Sequence, residues 1–489
     1  MGKVLVIGLD GATFDVIKPL IKKGALPNLK SLMKKGAYGV LKSTIMPITS
    51  VAWASFYTGK NPGKHGIFDF FWGRPYEPDH KIVNSEMIEG EKLWEVAGKF
   101  NKKTIAINLP FTYPPRKING LLISGFGTPS TKSKFTYPSW LRKYLLEKFN
   151  YEIDPNPKEY LKKETLLKGE RRVNKKRERA TLHLMDKFNW DLFMVVFSSI
   201  DHIQHHFWGN SKVIEEFYRR ADITIGRMLS KVDKNTTVVI MSDHGFGLAK
   251  KEFLINNWLK EVGLLELKKD RFKAIKNLFA KVGFSRENIQ YLLTFLKLNR
   301  YIEKVPFRLR AQIPGKENYL WDINWKKTKA YAALYLGKIF INLKGREPYG
   351  IVKEEEYEEM RDFLIKKLLK LRDPESGRRI VRKVHKKEEI YHGPHLDKAP
   401  DLQIIPEDWT IIPSCNFRDG SIFYPSNLEG THKLNGIIII SGERIKKGEI
   451  VDGEIIDIAP TVLTLLDVQI PEDMDGKILP CIRNTNRFF

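Results

Sequence analysis

The sequence predicts an α/β fold with a mostly parallel central sheet and a helical insert. Three observations carry that prediction. The apolar runs Lys3 to Leu9, Asp191 to Ser199 and Thr236 to Ser242 are short and uninterrupted, as strands buried on both faces are. Helical patterns, such as Phe14 to Lys22 and Val213 to Leu229, alternate with them. Each run also delivers a carboxylate at its carboxyl end: Asp10, Asp201 and Asp243. Open α/β sheets bind their ligands at that edge.

The 489 residues suffice for one large domain with insertions or for two or three domains. With 42% hydrophobic and 11% aromatic residues, a large core can be buried and wholesale disorder is excluded. The 83 Lys and Arg outnumber 58 Asp and Glu, giving a formal charge of +25. Such an excess favours anionic partners (phosphorylated small molecules, nucleotides, nucleic acid or anionic lipid) without choosing among them. Cys415 and Cys481 are the two cysteines and no CxxC occurs, which excludes thiolate zinc clusters and a disulfide framework. A reducing cytoplasm is therefore expected. The first apolar run is too short for a signal segment, and no stretch approaches the roughly 20 apolar residues of a membrane span. Scarce glutamine with abundant Lys, Glu and Ile leans toward a thermophile.

Taken in order, the first strand leads through Asp10 into a helix from Phe14, where Asp10 either serves a ligand or caps the helix. A second helix covers Ala25 to Met33, with a proline in its first turn. The stretch from Pro47 to Gly59 is a loop turning into a helix, with Thr49 as the expected N-cap and Gly59 and Pro62 closing it. A helix N-terminus offers unpaired N–H groups to a phosphate. The hydroxyl of Thr49, or of its neighbour Ser50, becomes a nucleophile there if its pKa is lowered; plain capping is the simpler account. His65, in the Gly63-Lys-His-Gly loop, is expected to be structural.

Thr104 to Asn108 and Gly120 to Ser124 are further strands; Asn108, Thr112 and Tyr113, at the end of the first, are candidates to touch substrate, with loop chemistry the simpler account. Pro138 to Lys187 is helical and strongly basic, which suits a solvated face and a nucleic-acid patch equally. Beyond the strand from Asp191, Asp201 and His205 lie four apart and share one helical face, a spacing that grips a divalent ion. Three histidines in five positions, with His206 the last, exceed what a routine core holds. Asp243 and His244 close the next strand and are followed by glycines that let backbone approach a ligand.

Residues 251–329 change to basic amphipathic helix and are expected to form an inserted cap. Residues 1–250 and 330–489 then form the catalytic core. Strands resume at Ala330 and Ile339, a helix spans Glu354 to Leu371, a basic turn-rich segment runs to Lys387, and a strand covers Asp401 to Ile405. His432 is placed on a loop before the strand Gly436 to Ser441. For His432 to reach the acids, that strand must run antiparallel to the main set. A final helix starts near Asp457, with Pro460 in its first turn.

These motifs together resemble the alkaline phosphatase superfamily, and within it the type I phosphodiesterase/nucleotide pyrophosphatase family with its predicted phosphohydrolase and phosphomutase branch. The carriers are the Leu-Asp-Gly start, the threonine segment ending in Thr-Gly-x-x-Pro-x-x-His-Gly-Ile, the Asp-x-x-x-His turn, Ser-Asp-His-Gly and the late Thr-His. The resemblance implies a three-layer α/β/α sandwich and a two-metal site. One ion is held by Asp201, His205 and His432, the other by Asp10, Asp243, His244 and Thr49. The oxygen and nitrogen donors suit Zn²⁺ or Mn²⁺. The resemblance further implies a phosphohydrolase, a phosphodiesterase or pyrophosphatase, working through a phospho-threonine at Thr49. Ser50, Asn108 and His206 are candidates for substrate contact. A phosphomutase on the same site is the nearest alternative. A basic protein binding nucleic acid or anionic lipid, its site vestigial, is the alternative from another class. The substrate and the oligomeric state stay open.

Overall fold

Alternation along Lys3–Leu9 (β1) decides the architecture. Val4 and Val6 enter one apolar core, while Leu5, Ile7 and Leu9 enter a second core on the opposite face. A strand buried on both sides needs helices on both sides, so the main body is a three-layer α/β/α sandwich. The computed structural model describes residues 2–75, 81–268, 319–418, 420–448 and 451–483.

The elements of this body follow in chain order: β1, helices α1 (Phe14–Lys22) and α2 (Pro27–Lys35), β2 (Ala37–Lys42) and α3 (Thr49–Thr58). Next come β3 (Thr104–Leu109), β4 (Gly120–Ser124), β5 (Thr136–Tyr137), α4 (Lys163–Lys187), β6 (Leu192–Phe197), α5 (Ser199–Phe207), α6 (Ser211–Leu229) and β7 (Thr236–Met241). The short strands β8 (Gly245–Leu248) and β9 (Gly430–Lys433) pair antiparallel, and β10 (Asn435–Ser441), β11 (Gly453–Glu454) and α7 (Ile458–Leu465) complete it. The nine-stranded sheet has the order β11-β2-β10-β7-β1-β6-β3-β4-β5. β1 pairs parallel with both β6 and β7, and β3 pairs parallel with β6 and β4. β10 runs antiparallel to its neighbours β2 and β7, the direction His432 requires.

Helix α3 lies in the core that receives Val4 and Val6, and all of its residues are buried. Its start corrects the expected cap: Ile48 is the N-cap and Thr49 is the first helical residue. Gly59 closes it in the left-handed conformation, φ 66°, as expected. The expected helical run from Pro138 to Lys187 is two helices, Trp140–Phe149 and α4, with a break opened by Asn150 at φ 47° and a 3₁₀ turn at Pro157–Leu161.

A third apolar core gathers Phe253 to Leu265 with residues between Ile323 and Ile404. It backs a four-stranded antiparallel sheet of Ala330–Ala332, Lys338–Ile341, Leu402–Pro406 and Val381–Lys386. The last of these corrects the turn-rich reading up to Lys387. The two ends of the expected insert, 251–268 and 319–329, belong to this body; Lys251–Leu254 pairs with Ile411–Ser414 and Phe423–Pro425. The expected cap helices between them, residues 269–318, lie outside the described residues. The buried pairs Asp69–Lys338 and Arg74–Glu347 (2.7 Å for the latter) join this body to the loop after α3. Among the described residues, no helix is long and apolar enough to cross a membrane.

Candidate two-metal active site

Three parallel strands stop at one edge, and the residues just beyond them converge. Asp10 follows β1, its N–H donating to Phe197 O at the end of β6 (3.1 Å). Asp243 follows β7, and its Oδ1 accepts from Gly11 N at 3.3 Å. Asp201 and His205 project from α5, which opens directly after β6, and their Oδ1 and Nε2 are 3.6 Å apart. His432 arrives on β9, a short strand rather than the expected loop, and its Nε2 lies 3.1 Å from Asp201 Oδ1. His244 Nε2 lies 3.2 Å from Asp243 Oδ2, 3.6 Å from Asp10 Oδ1 and 3.4 Å from Thr49 Oγ1.

Two donor groups emerge, Asp201 with His205 and His432, and Asp10 with Asp201 and His244. In each, the ligand atoms lie within 4.8 Å of one another. Asp201 belongs to both groups and stands between them. The imidazoles are aimed by backbone. His205 Nδ1 donates to Gly430 O (3.1 Å), His432 Nδ1 to Pro47 O (2.8 Å) and His244 Nδ1 to Gly245 O (3.2 Å). That tautomer leaves each Nε2 lone pair turned inward, as a metal-binding imidazole requires. Gly11, at φ +67°, lets the Asp10 loop pass Asp201, since a Cβ there would sit 3.1 Å from Asp201 Oδ1.

The electrostatics of this cluster are unbalanced. Asp10 Oδ1, Asp201 Oδ1 and Asp243 Oδ2 are buried without a hydrogen-bond donor. Burial, then the charge of Asp201, pushes Asp10 up to about 7. Burial, then Asp10 and Asp201, drives Asp243 well above the ordinary carboxylate range. Burial also raises Asp201, but His205 and His432 outweigh it and hold this carboxyl below the usual range. Burial lowers His205 to about 4 and pushes His244 well below its ordinary value. Three buried acids facing bare imidazole nitrogens form a hole for positive charge. The donor set of carboxylate oxygen, imidazole and hydroxyl fits divalent zinc or manganese.

The remaining candidates are placed as follows. Ser50 adjoins Thr49, but its Oγ is buried and without a partner. Asn108 uses its amide N–H to hold Val196 O (3.0 Å) and Ser198 Oγ (3.3 Å) at the end of β6. His206 is not among the clustered donors; burial, His202 and Lys163 lower its pKa. His65 bonds Ser55 Oγ at 2.8 Å, inside the fold. Sequence reasoning missed Gln204, which donates to Gly11 O (2.8 Å) and accepts from Tyr218 (2.9 Å), and so ties α5 and α6 to the Asp10 loop. It also missed His202, bonded to Glu170 at 2.6 Å; the crowding of histidines was its signal.

The fold is that of alkaline-phosphatase-like proteins. An alkaline phosphatase PafA variant matches with TM-score 0.59 at 14% identity, covering 98% of each chain. Human ectonucleotide pyrophosphatase/phosphodiesterase 5 matches with TM-score 0.54 at 13% identity, over 98% of this chain and 100% of that one. An inactive variant of the murine protein, in complex with AMP, matches with TM-score 0.55 at 13% identity, over 96% of each. No curated protein sequence matches. The chain belongs to the type I phosphodiesterase / nucleotide pyrophosphatase family, whose model matches residues 4–421.

Proposed function

We propose that this protein is a metal-dependent phosphohydrolase cleaving a phosphodiester or pyrophosphate through a phospho-threonine at Thr49. The observation that carries the reading is the convergence of two neighbouring donor clusters at one sheet edge, Asp201 with His205 and His432, and Asp10 and His244 with Asp243 and Thr49 beside them. Asp201, His205 and His432 would hold one divalent ion, and Asp10, Asp243, His244 and Thr49 the other, with Zn²⁺ or Mn²⁺ suited to these donors. When bound, the pair would lower the pKa of a hydroxyl and neutralise charge on the oxygens of an in-line displacement.

The chain's own groups supply the rest. Thr49 is the first residue of α3, so its Oγ1 sits at the helix end whose N–H groups lack intrahelical partners. Those groups receive a phosphoryl oxygen as negative charge builds on it. The buried α3 holds the hydroxyl still against the incoming phosphorus. The Thr49 Oγ–P bond forms as the hydroxyl loses its proton to solvent and the bond to the leaving oxygen breaks, that oxygen taking up a proton. A water then attacks from the opposite side, the Oγ–P bond breaks, and a proton from the water restores the Thr49 hydroxyl.

The test is hydrolysis of bis-p-nitrophenyl phosphate beside p-nitrophenyl phosphate by metal-stripped and Zn²⁺- or Mn²⁺-restored protein, wild type against Thr49→Ala. Metal-dependent turnover that disappears in Thr49→Ala is expected, with the diester preferred. Two bound ions and no turnover of either ester would favour the phosphomutase. No bound ion would overturn the site.

A further inference from the structure

Helix α5 is held from behind as well as from the site. Asp201 and His205 face the donor cluster, whereas Ser199 and His202, one turn apart, meet α4. Asn174 Nδ2 donates to Ser199 Oγ at 2.6 Å, and Glu170 Oε1 lies 2.6 Å from His202 Nδ1. Tyr160 Oη reaches the same nitrogen at 3.1 Å. Glu170 and Asn174 are themselves one turn apart, so two adjacent turns are pinned together.

Glu170 is 2% exposed, although it sits in the most basic of the described helices. Two half-buried arginines beside it are paired nearby. Arg171 pairs with Glu216 (2.6 Å), and Arg172 pairs with Glu152 and Glu159 (2.8 Å each). The latter pairs clamp the 152–159 segment against α4. A Cβ at Gly169 would lie 3.0 Å from Glu159 Oε2 and Pro155 Cβ, which measures how closely that segment packs. The face of α4 that carries Glu170 and Asn174 is thus a buttress for α5.

We propose that Glu170 and His202 are a positioning pair that sets the rotation of α5, and through it the aim of Asp201 and His205 at His432. The proposal rests on the two-metal reading of the site. A donor constellation tolerates only about 0.5 Å or 10–20° of error. On the site side α5 is tied through Gln204, through the His205 ring to Gly430 O of β9, and through Glu429 N donating to His205 O. Without the rear pair, rotation about those ties moves Asp201 and His205 together.

The experiment measures Zn²⁺ affinity of the full chain by competition with a chromophoric chelator, with circular dichroism and thermal melting alongside. Glu170→Ala is expected to fold and to bind Zn²⁺ about 10–100-fold more weakly than wild type. Glu170→Gln, which retains a bond to the ring, should fall between the two. Glu216→Gln, which breaks the Arg171 pair between the same helix and α6, should leave affinity unchanged. Wild-type affinity in Glu170→Ala would overturn the proposal. So would an equal loss in Glu216→Gln, which would mark general loosening of α4. Should Glu170→Ala fail to fold, His202→Gln is read by the same criteria. A wild-type protein that binds no Zn²⁺ or Mn²⁺ would instead overturn the metal site itself, a result distinct from the others.

Discussion

The Nε2 atoms of His205 and His432 face each other at 3.0 Å across 227 positions of sequence. Each ring gives its Nδ1–H to a backbone carbonyl, so with both imidazoles neutral their Nε2 lone pairs face each other. That contact is repulsive unless positive charge lies between the rings. His432→Ala should therefore bind one divalent ion fewer than wild type, read by equilibrium dialysis and elemental analysis. Its activity should fall further than the about 10–100-fold usual for residues that merely support a ligand. Retention of both ions would refute the assignment of His432.

Thr49 and Ser50 separate cleanly. Thr49 Oγ1 is 3.4 Å from His244 Nε2, while Ser50 Oγ is buried and without a partner. Thr49→Ala should abolish turnover of the diester and keep both ions. Ser50→Ala should keep turnover and change stability by less than about 1 kcal/mol, because it removes an unsatisfied buried hydroxyl. Activity lost in Ser50→Ala and kept in Thr49→Ala would reverse the roles.

Gly11 predicts a coupled defect. At φ +67° an L-residue pays roughly 1–2 kcal/mol, and the added Cβ presses on Asp201 Oδ1 and Phe246. Gly11→Ala should lower stability in denaturant melts by that order and weaken metal binding in the same protein. Gly24, at φ +76° with open space around it, is the control. Gly24→Ala should show the stability loss alone.

His65 carries the pH prediction. Its ring is fully buried, takes Ile67 N–H on Nδ1 and gives Nε2–H to Ser55 Oγ. Burial first, then Lys92 and His395, pushes it down to about 3. The folded value lies below the unfolded one of 6.5, so its contribution is complete above pH 6.5 and drains away toward pH 3, by about 1.4 kcal/mol per unit. Stability of the wild type relative to His65→Gln should shrink by that slope between pH 6.5 and 5. Parallel curves would show that His65 is not held neutral.

The sequence showed the parts of the site that chemistry marks locally. β1, β6 and β7 announced themselves as apolar runs, and their terminal acids followed with them. The direction of β10 was legible only through His432, because an isoleucine run carries no arrow. Val381–Lys386 hid as a basic turn, being an edge strand with two exposed residues between buried valines. The break after Asn150 was marked by Pro155 and Pro157, which the strongly basic, helix-like composition around them outweighed. The carbonyls of Pro47 and Gly430 that aim two imidazoles have no side-chain signature, and the pairing of Glu170 with His202 exists only once α4 packs on α5.

The placement of β10 has a consequence for synthesis. It fills the slot between β2 and β7, yet it is made almost 200 residues after β7. Until the ribosome has passed residue 441, the sheet stands split, with β2 unpaired and β7 bare along one side. Exposed strand edges recruit other chains. The nascent protein is thus most at risk of aggregation while the greater part of it is already made, and the strand that ends that risk follows directly on His432.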